Sequence, residues 1–265
     1  MEASLTTEQT DAAATALTRA RRLVEQLDGL GNNTPLDAAS AYAIADRHAA
    51  QLGWDVVGWK IGCTSEAAMQ ILDSPGPFAG RVFDGTVHQS GILHHDAIID
   101  PLIESEFAFI LGHDLPSRQS EYTLDEVRAA TDAVAPALEI VSARFVDITS
   151  VGYLSLIADS GANAGVAFGE PVPVEQCPDL SSVDVALDID GNVTNGQSDA
   201  ILGDPWQALL WLTNHLSVRQ IGLRAGEFVL SGTCTGVDPL PPGATATGEY
   251  SGLGSVTISR TSADG

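Results

Sequence analysis

The hydrophobic positions at the start of the chain recur with helical spacing and then condense into a short apolar run. Residues 6–28 show the pattern of an amphipathic helix, with Thr7 as the expected N-cap, and residues 36–52 predict a second helix. Val56–Gly62 is typical of a short strand, and a third helix is predicted to end at Leu72. The first part of the chain is therefore expected to be mainly helical.

The pattern changes from about residue 80 to short β-rich segments separated by Gly- and Pro-containing turns. The predicted strands are Gly80–Phe83, Thr86–His88, Ala97–Ile99, Ile103–Leu111, Leu138–Phe145, Ala162–Phe168, Val183–Ile189, Asn192–Asn195, Glu227–Ser231 and Ser255–Ser259. Two predicted helices, Leu124–Ala133 and Pro205–Leu216, interrupt them. This order favours an α+β fold over a doubly wound one. We expect a helical N-terminal region over residues 1–79 and a β-rich core over residues 80–265.

Three carboxylates stand inside apolar strand-like runs. Glu104 and Glu106 lie two residues apart in Ile103–Leu111, so a strand places both side chains on one face. Glu139 is a single acid in Pro136–Val141. Neighbouring buried carboxylates repel each other and lose hydration, and a divalent cation relieves both penalties. Oxygen ligands suit Mg²⁺ or Mn²⁺, whereas strands that expose these acids to water would need no metal.

Two further segments carry candidate chemistry. Of the 12 basic residues only Lys60 is a lysine, and it lies between glycines and beside a tryptophan. Lysine can transfer a proton whereas arginine stays charged, so Lys60 is a candidate acid–base group, with Asp84 as a possible partner. Ser231 and Thr233 belong to a small-residue loop after a strand, whose backbone could approach a substrate closely or simply form a tight turn.

Composition narrows the classes of function. The chain has 35 acidic and 12 basic residues, a formal charge of −23. The deficit of basic residues argues against nucleic acid or an anionic membrane as a partner. Three cysteines without metal-type spacing, an N-terminus without a signal-peptide pattern and no long apolar run predict a cytoplasmic protein with reduced thiols. A high-salt habitat would also fit the acidic surface.

A series of short motifs, in this order, resembles a known family. They are GWKIG, a Pro- and Gly-rich turn with GxxxD, IESEFAFILG, PALEIV, IADSGANAG, ILGDPWQALLWLTNHL, RAGEFVLSGT and GLGSV. The resemblance is to the 2-oxopent-4-enoate hydratase and 4-oxalocrotonate decarboxylase group of the fumarylacetoacetate hydrolase superfamily. It covers residues 55–258 and implies a mixed β-roll core preceded by a helical region, in a homo-oligomer.

The resemblance also implies roles for individual residues. It implies a Mg²⁺ or Mn²⁺ site with Glu104, Glu106 and Glu139 as ligands. It makes Lys60 the active-site lysine and places Ser160 at the substrate site.

Several positions depart from the family pattern. Asp84 matches the aspartate of the GxxxD motif only loosely. Asp159–Asn163 stands where the family has Asp-Asn-Ala-Ser, Leu102 stands where a basic residue is expected, and Asp204 replaces a histidine. These changes concern the distal end of the substrate and the outcome of the reaction rather than the metal ligands.

We therefore expect a metal-dependent hydro-lyase that adds water to a 2-hydroxy-2,4-dienoate and forms a 4-hydroxy-2-oxo acid. The alternative enzyme is a decarboxylase of a 4-oxalocrotonate-like 2-oxo diacid, which would use the same metal as an electron sink. A third reading is a degenerate, non-catalytic subunit that binds a pathway enzyme. The expected partners are a small 2-oxo acid, further copies of the chain and, as an open alternative, that pathway enzyme.

Overall fold

A computed structural model describes residues 4–89 and 91–262 of the chain. It has a mixed α+β fold with a helical N-terminal region and two sheets. The helices are α1 Thr7–Leu23, α2 Ala38–Leu52, α3 Glu66–Leu72, α4 Leu124–Ala129, α5 Gly152–Ala158 and α6 Pro205–Val218. The strands are β1 Val56–Gly62, β2 Phe78–Phe83, β3 Ile92–Leu93, β4 Leu102–Leu111, β5 Thr131–Val141, β6 Asn163–Phe168, β7 Val172–Pro173, β8 Asp184–Ile189, β9 Asn192–Gln197, β10 Phe228–Leu230, β11 Asp238–Pro239, β12 Thr245–Tyr250 and β13 Gly254–Arg260.

The helix ends follow from local capping. Thr6, not the predicted Thr7, caps α1. Its hydroxyl accepts from the backbone N–H of Gln9, and the side-chain oxygen of Gln9 accepts from the backbone N–H of Thr6. Helix α1 ends at Leu23, several residues before the predicted end, because Val24 adopts a left-handed conformation. Ser65 caps α3, because its hydroxyl accepts a hydrogen bond from the backbone N–H of Ala68.

The larger sheet runs in the order β2-β1-β10-β4-β5-β6, with β11 beside β4 and β7 beside β5. It curls into a roll. Val87, just after β2, forms a parallel bridge with Val166 of β6, so the two ends of the sheet meet. Inside the roll the rings of Phe168 and Phe228 lie 4.7 Å apart although two strands separate β6 from β10.

The two faces of β4 pack into different apolar clusters. Phe107 and Phe109 point outward and pack against Tyr250 of β12 and Trp206 of α6, within the main hydrophobic core. Ala108 belongs to a smaller apolar cluster inside the roll, together with residues of β2, β5, β6 and β10. The smaller sheet, β3-β13-β12-β8-β9, covers the outer face. The interior of the roll is therefore apolar at one end, and its other end carries Glu104 and Glu106.

Several predicted elements differ from the structure. Thr86–His88 and Ala97–Ile99 are not strands. Thr86 ends a 3₁₀ turn and Val87 makes only an isolated bridge, and the second segment lies in a loop. Helix α4 is shorter than predicted because its last predicted turn belongs to β5. Strand β12 and helix α5 were not predicted at all.

The predicted boundary between residues 79 and 80 stays a prediction. Two features of the larger sheet bear on it. Strand β2 spans the boundary, and β1, which precedes it, pairs with β10. None of the helices among the described residues is long and apolar enough to cross a lipid bilayer.

Candidate metal centre

Strand register brings the three predicted carboxylates together. Glu104 of β4 lies directly opposite Glu139 of β5, and Glu106 follows two residues along the same face. Each of the three offers a carboxylate oxygen, and these oxygens lie within 4.8 Å of one another. Glu106 and Glu139 are fully buried, whereas Glu104 is partly exposed. We call these three residues the carboxylate cluster.

Lys60 reaches the cluster from strand β1, which β10 separates from β4 in the larger sheet. Its Nζ lies 3.3 Å from Oε1 of Glu139 and donates a hydrogen bond of 3.1 Å to the carbonyl oxygen of Gly161. Glycines make room for it: a Cβ on Gly161 would lie 2.7 Å from Cδ of Lys60, and one on Gly80 would lie 2.1 Å from the carbonyl oxygen of Ser160. The sole lysine of the chain is thus held buried against a glutamate.

The electrostatic balance of this centre is unfavourable without a further cation. Burial of the carboxyl group, reinforced by Glu139 and partly offset by Lys60, raises the pKa of Glu104 to about 7. Burial and the two neighbouring carboxylates raise the pKa of Glu106 well above its usual value. For Lys60, burial alone lowers the pKa, but the three carboxylates outweigh it and raise the pKa above the ordinary value. One ammonium therefore faces three acids.

The unpaired oxygens of the cluster fit a metal ion. Glu106 accepts from the backbone N–H of Gly232 at 2.9 Å through Oε2, and its Oε1 has no partner among the described residues. In Glu139, Oε1 is bonded and Oε2 has no partner in the same part of the chain. Native structures rarely leave buried polar atoms unsatisfied. These bare atoms are acceptors only, so the residues present suit a hard divalent cation such as Mg²⁺, Mn²⁺ or Ca²⁺.

The other predicted site residues lie at different distances from this centre. Ser160 is buried beside Lys60, and its hydroxyl has no partner within the described residues. The hydroxyl of Ser231 is engaged in the fold, since it accepts from the N–H of Phe107 at 3.0 Å and donates to the carbonyl of Gly232. Thr233 closes a turn through a hydrogen bond to the carbonyl of Gly236.

Asp84 is not brought to the cluster. It is exposed at the start of a 3₁₀ turn, and its carboxylate accepts from the backbone N–H of Gly85. The partners of Lys60 are Glu139 and Gly161 instead. The structure thus does not bring Asp84 to Lys60, because β2 ends at Phe83 and Asp84 follows it in an exposed 3₁₀ turn.

Asn163 is a site residue that sequence reasoning missed. Its Nδ2 donates a hydrogen bond of 3.0 Å to Oε1 of Glu139, and its Oδ1 has no partner among the described residues. The sequence carried one signal, a single amide in the otherwise small and apolar run of β6. Its contact with Glu139 arises only from the pairing of β5 with β6.

A cavity of about 180 Å³ lies on the other side of this segment. Arg21, His88 and Arg144 are among its lining residues, and neither Lys60 nor any member of the carboxylate cluster lines it. This cavity is therefore separate from the candidate metal centre.

Comparison with known proteins identifies the family of the chain. Residues 59–259 match the family model described as "Fumarylacetoacetate (FAA) hydrolase C-terminal". The chain belongs to the fumarylacetoacetate hydrolase family. The matched residues include Lys60 and the whole carboxylate cluster.

Relatives with assigned activities cover nearly the whole chain. It is 33% identical to a 2-keto-4-pentenoate hydratase of Paraburkholderia xenovorans, over 95% of both chains. It is 29% identical to a 4-oxalocrotonate decarboxylase of a Pseudomonas species, over 97% of this chain and 98% of the relative. Among solved structures, the 4-oxalocrotonate decarboxylase of Pseudomonas putida G7, complexed with magnesium and adipate, superimposes with a TM-score of 0.89 at 28% identity, covering 97% of this chain and 99% of that one.

Proposed function

We propose that this protein is a divalent-metal-dependent lyase that adds water to a 2-hydroxy-2,4-dienoate of the 2-oxopent-4-enoate type. One observation carries the proposal: Glu106 and Glu139 converge with Glu104 and each keeps one bare, buried oxygen. The 2-keto-4-pentenoate hydratase relative at 33% identity supports the choice of reaction. The product would be a 4-hydroxy-2-oxo acid.

Glu104, Glu106 and Glu139 would hold Mg²⁺ or Mn²⁺. When bound, such an ion supplies Lewis acidity that stabilises negative charge developing on a substrate oxygen. The Pseudomonas putida decarboxylase structure with magnesium and the all-oxygen donor set both support this choice of metal. Three protein carboxylates leave positions at the ion for a small 2-oxo acid.

Lys60 would carry the proton that is transferred to the substrate. Its Nζ is buried among acids that keep it charged, and the Gly161 carbonyl and Glu139 fix its direction. From there it would donate a proton to substrate carbon when the dienol becomes a ketone. The free hydroxyl of Ser160, beside Lys60, would bind a polar group of the substrate. We assign no role to Asp84, and Ser231 and Thr233 would shape the site through the backbone that they support.

Decarboxylation of a 2-oxo diacid is the second candidate. The close superposition on a 4-oxalocrotonate decarboxylase favours it, and the same three carboxylates would serve both reactions. A non-catalytic partner subunit is the weaker alternative, because such a subunit has no need to keep unpaired buried oxygens around a lysine.

Incubation with Mg²⁺ or Mn²⁺ and each of two substrates, 2-hydroxypenta-2,4-dienoate and 4-oxalocrotonate, tests the proposal. Ultraviolet absorbance and product mass are followed, with a chelated sample as control. A gain of one water on the first substrate supports the hydratase. Loss of carbon dioxide from the second, without hydration of the first, establishes the decarboxylase instead. No turnover of either substrate by a metal-bound protein contradicts both activities.

We also propose that the protein is cytoplasmic and assembles as a homo-oligomer, in line with the family resemblance. Association with a pathway enzyme is a separate proposal. Light scattering after size-exclusion chromatography tests the first assembly: a mass equal to that of one 27.6 kDa chain would contradict it. Co-purification with the enzyme that forms the substrate tests the second.

A further inference from the structure

Asn163 lies at the start of β6, in contact with both the metal centre and the helical region. Its side chain is fully buried. Its amide donates to Glu139, and its carbonyl oxygen accepts a hydrogen bond of 2.7 Å from Nη2 of Arg21 in α1. The residue is thus bound through its backbone to the helical region and through its side chain to the metal centre.

The orientation of the Asn163 amide follows from the chemistry of its neighbour. An ionised carboxylate only accepts hydrogen bonds, so Nδ2 must face Oε1 of Glu139. Oδ1 must then face away from that oxygen. It is buried and has no donor among the described residues. An acceptor left bare in this way indicates that a donor arrives with a ligand.

The two buried glutamates, Glu106 and Glu139, have the same arrangement of hydrogen-bond partners. The N–H of Gly232 holds one oxygen of Glu106, and Asn163 with Lys60 holds one oxygen of Glu139. In each residue the second oxygen has no partner in the described part of the chain. A hydrogen bond to one carboxylate oxygen fixes the plane of the group and therefore the direction of the other oxygen. Asn163 therefore orients the carboxylate of Glu139 as the backbone N–H of Gly232 orients that of Glu106.

We infer that Asn163 is the positioning residue that presents Oε2 of Glu139 to the metal ion and whose Oδ1 accepts a hydrogen bond from a water or hydroxyl bound there. The inference rests on the proposed function, because it assumes a divalent ion at the carboxylate cluster. It adds a residue that touches the ligand Glu139 without being a metal ligand itself.

Manganese titration followed by electron paramagnetic resonance tests this role without measuring turnover. The six-line signal of free Mn²⁺ reports the unbound fraction, and the spectrum of the bound ion reports its coordination. Asn163→Leu keeps the branched shape of the side chain, at a larger volume, but removes both polar atoms. Loss of such an outer partner weakens metal binding by about 10- to 100-fold, so we expect a dissociation constant raised by at least about tenfold and an altered bound spectrum.

Asn214→Leu is the matched control. Asn214 in α6 is partly buried, and its amide forms hydrogen bonds at both ends, to the N–H and the carbonyl of Tyr122. It is expected to bind Mn²⁺ like the wild type. Circular dichroism establishes that each variant is folded, and Asn163→Ala replaces Asn163→Leu if the larger side chain prevents folding.

The outcomes separate the two proposals. If the wild type binds no Mn²⁺, the proposed metal-dependent function fails, and the role of Asn163 fails with it. If the wild type binds Mn²⁺ and the folded Asn163 variants bind it equally well with the same spectrum, only the role of Asn163 is overturned. An equal loss of affinity in Asn214→Leu would also overturn it, since the effect would then be one of general stability.

Discussion

Two buried ion pairs, Arg144–Asp159 and Lys60–Glu139, lie close together in the fold but are built differently. In the first, both oxygens of Asp159 are used: Oδ1 accepts from Nε of Arg144 at 2.6 Å, and Oδ2 accepts from its backbone N–H at 2.9 Å. The guanidinium also donates to the carbonyl of Asp159. Asp159 is the only acid among the described residues that pairs with Arg144, and its carboxylate is saturated.

The Lys60–Glu139 pair has neither property. Two further carboxylates, Glu104 and Glu106, share the same lysine, and Glu139 keeps a bare oxygen among the described residues. Burial of an uncompensated charge is costly, and native proteins tolerate it mainly where function requires it. The comparison teaches how to separate a structural ion pair from a reactive one. Both are buried, but in the reactive one the acids outnumber the cation and leave acceptor oxygens without a partner among the described residues.

The largest expected effect comes from Glu106→Gln. This variant keeps the shape of the side chain and removes a charge from the cluster. Without its metal ligand we expect a loss of metal-dependent turnover of roughly 1,000-fold, equivalent to about 4 kcal/mol. The metal-free variant should melt above the metal-free wild type, because it relieves repulsion among buried carboxylates.

Steady-state kinetics and thermal unfolding, with and without Mg²⁺, measure both consequences. A variant with full activity would remove Glu106 from the site. A lower melting temperature of the metal-free variant would show that repulsion among carboxylates does not distinguish the Lys60–Glu139 pair from the Arg144–Asp159 pair.

Asp159→Asn should act in the opposite way, on stability rather than on the metal. Removing one partner leaves the buried guanidinium of Arg144 uncompensated, which costs about 3–5 kcal/mol of unfolding free energy. Urea unfolding with and without Mg²⁺ measures it, and the loss should be the same in both conditions. A loss that appears only with bound metal would assign Asp159 to the reactive site.

Substitution of Lys60 separates charge from proton transfer. Lys60→Arg keeps a cation beside Glu139 but cannot give up a proton in the working pH range, whereas Lys60→Ala removes both. General acid–base catalysis typically contributes on the order of 100-fold or more, so both variants should lose about that factor in turnover. Both should still bind Mn²⁺.

Deuterium exchange at substrate C3, measured in heavy water, is the direct readout of the proton transfer. Wild-type exchange rates in Lys60→Ala would contradict the assigned role. Full turnover in Lys60→Arg would show that only the positive charge matters.

The smallest expected effect is a pH dependence of the metal-free protein. The pKa of Glu104 is about 7 in the folded protein against an ordinary value of 4.5, so the folded state binds more protons over that interval. The free energy of unfolding should therefore fall as the pH rises from about 5 to about 8. This direction is opposite to that of a salt-bridged acid with a lowered pKa.

Parallel unfolding experiments on Glu104→Gln isolate this contribution. The variant should show a shallower pH slope than the wild type, and saturating Mg²⁺ should flatten the wild-type slope. Identical slopes in wild type and variant would mean that Glu104 does not experience the burial and repulsion that the structure indicates.

Much of the local structure could be predicted from the sequence. The alternation in Ile103–Leu111 correctly placed Glu104 and Glu106 on one face, because strand periodicity depends only on the backbone. Strand β12, Thr245–Tyr250, was missed because it lacks the run of large apolar side chains that marks a strand. Thr86–His88 was wrongly predicted as a strand, because its pairing is a single bridge to Val166 that closes the roll.

The sequence by itself therefore determined the candidate ligands, the unusual lysine and the strand faces, since each depends on residue type and spacing. Only the tertiary structure decided which of these groups meet. The register of β4 against β5 set Glu104 opposite Glu139, and the pairing of β5 with β6 placed Asn163 on that glutamate, whereas Asp84 lies exposed after the end of β2. Register and closure result from many contacts between distant segments, and no local pattern encodes which oxygen is left without a partner.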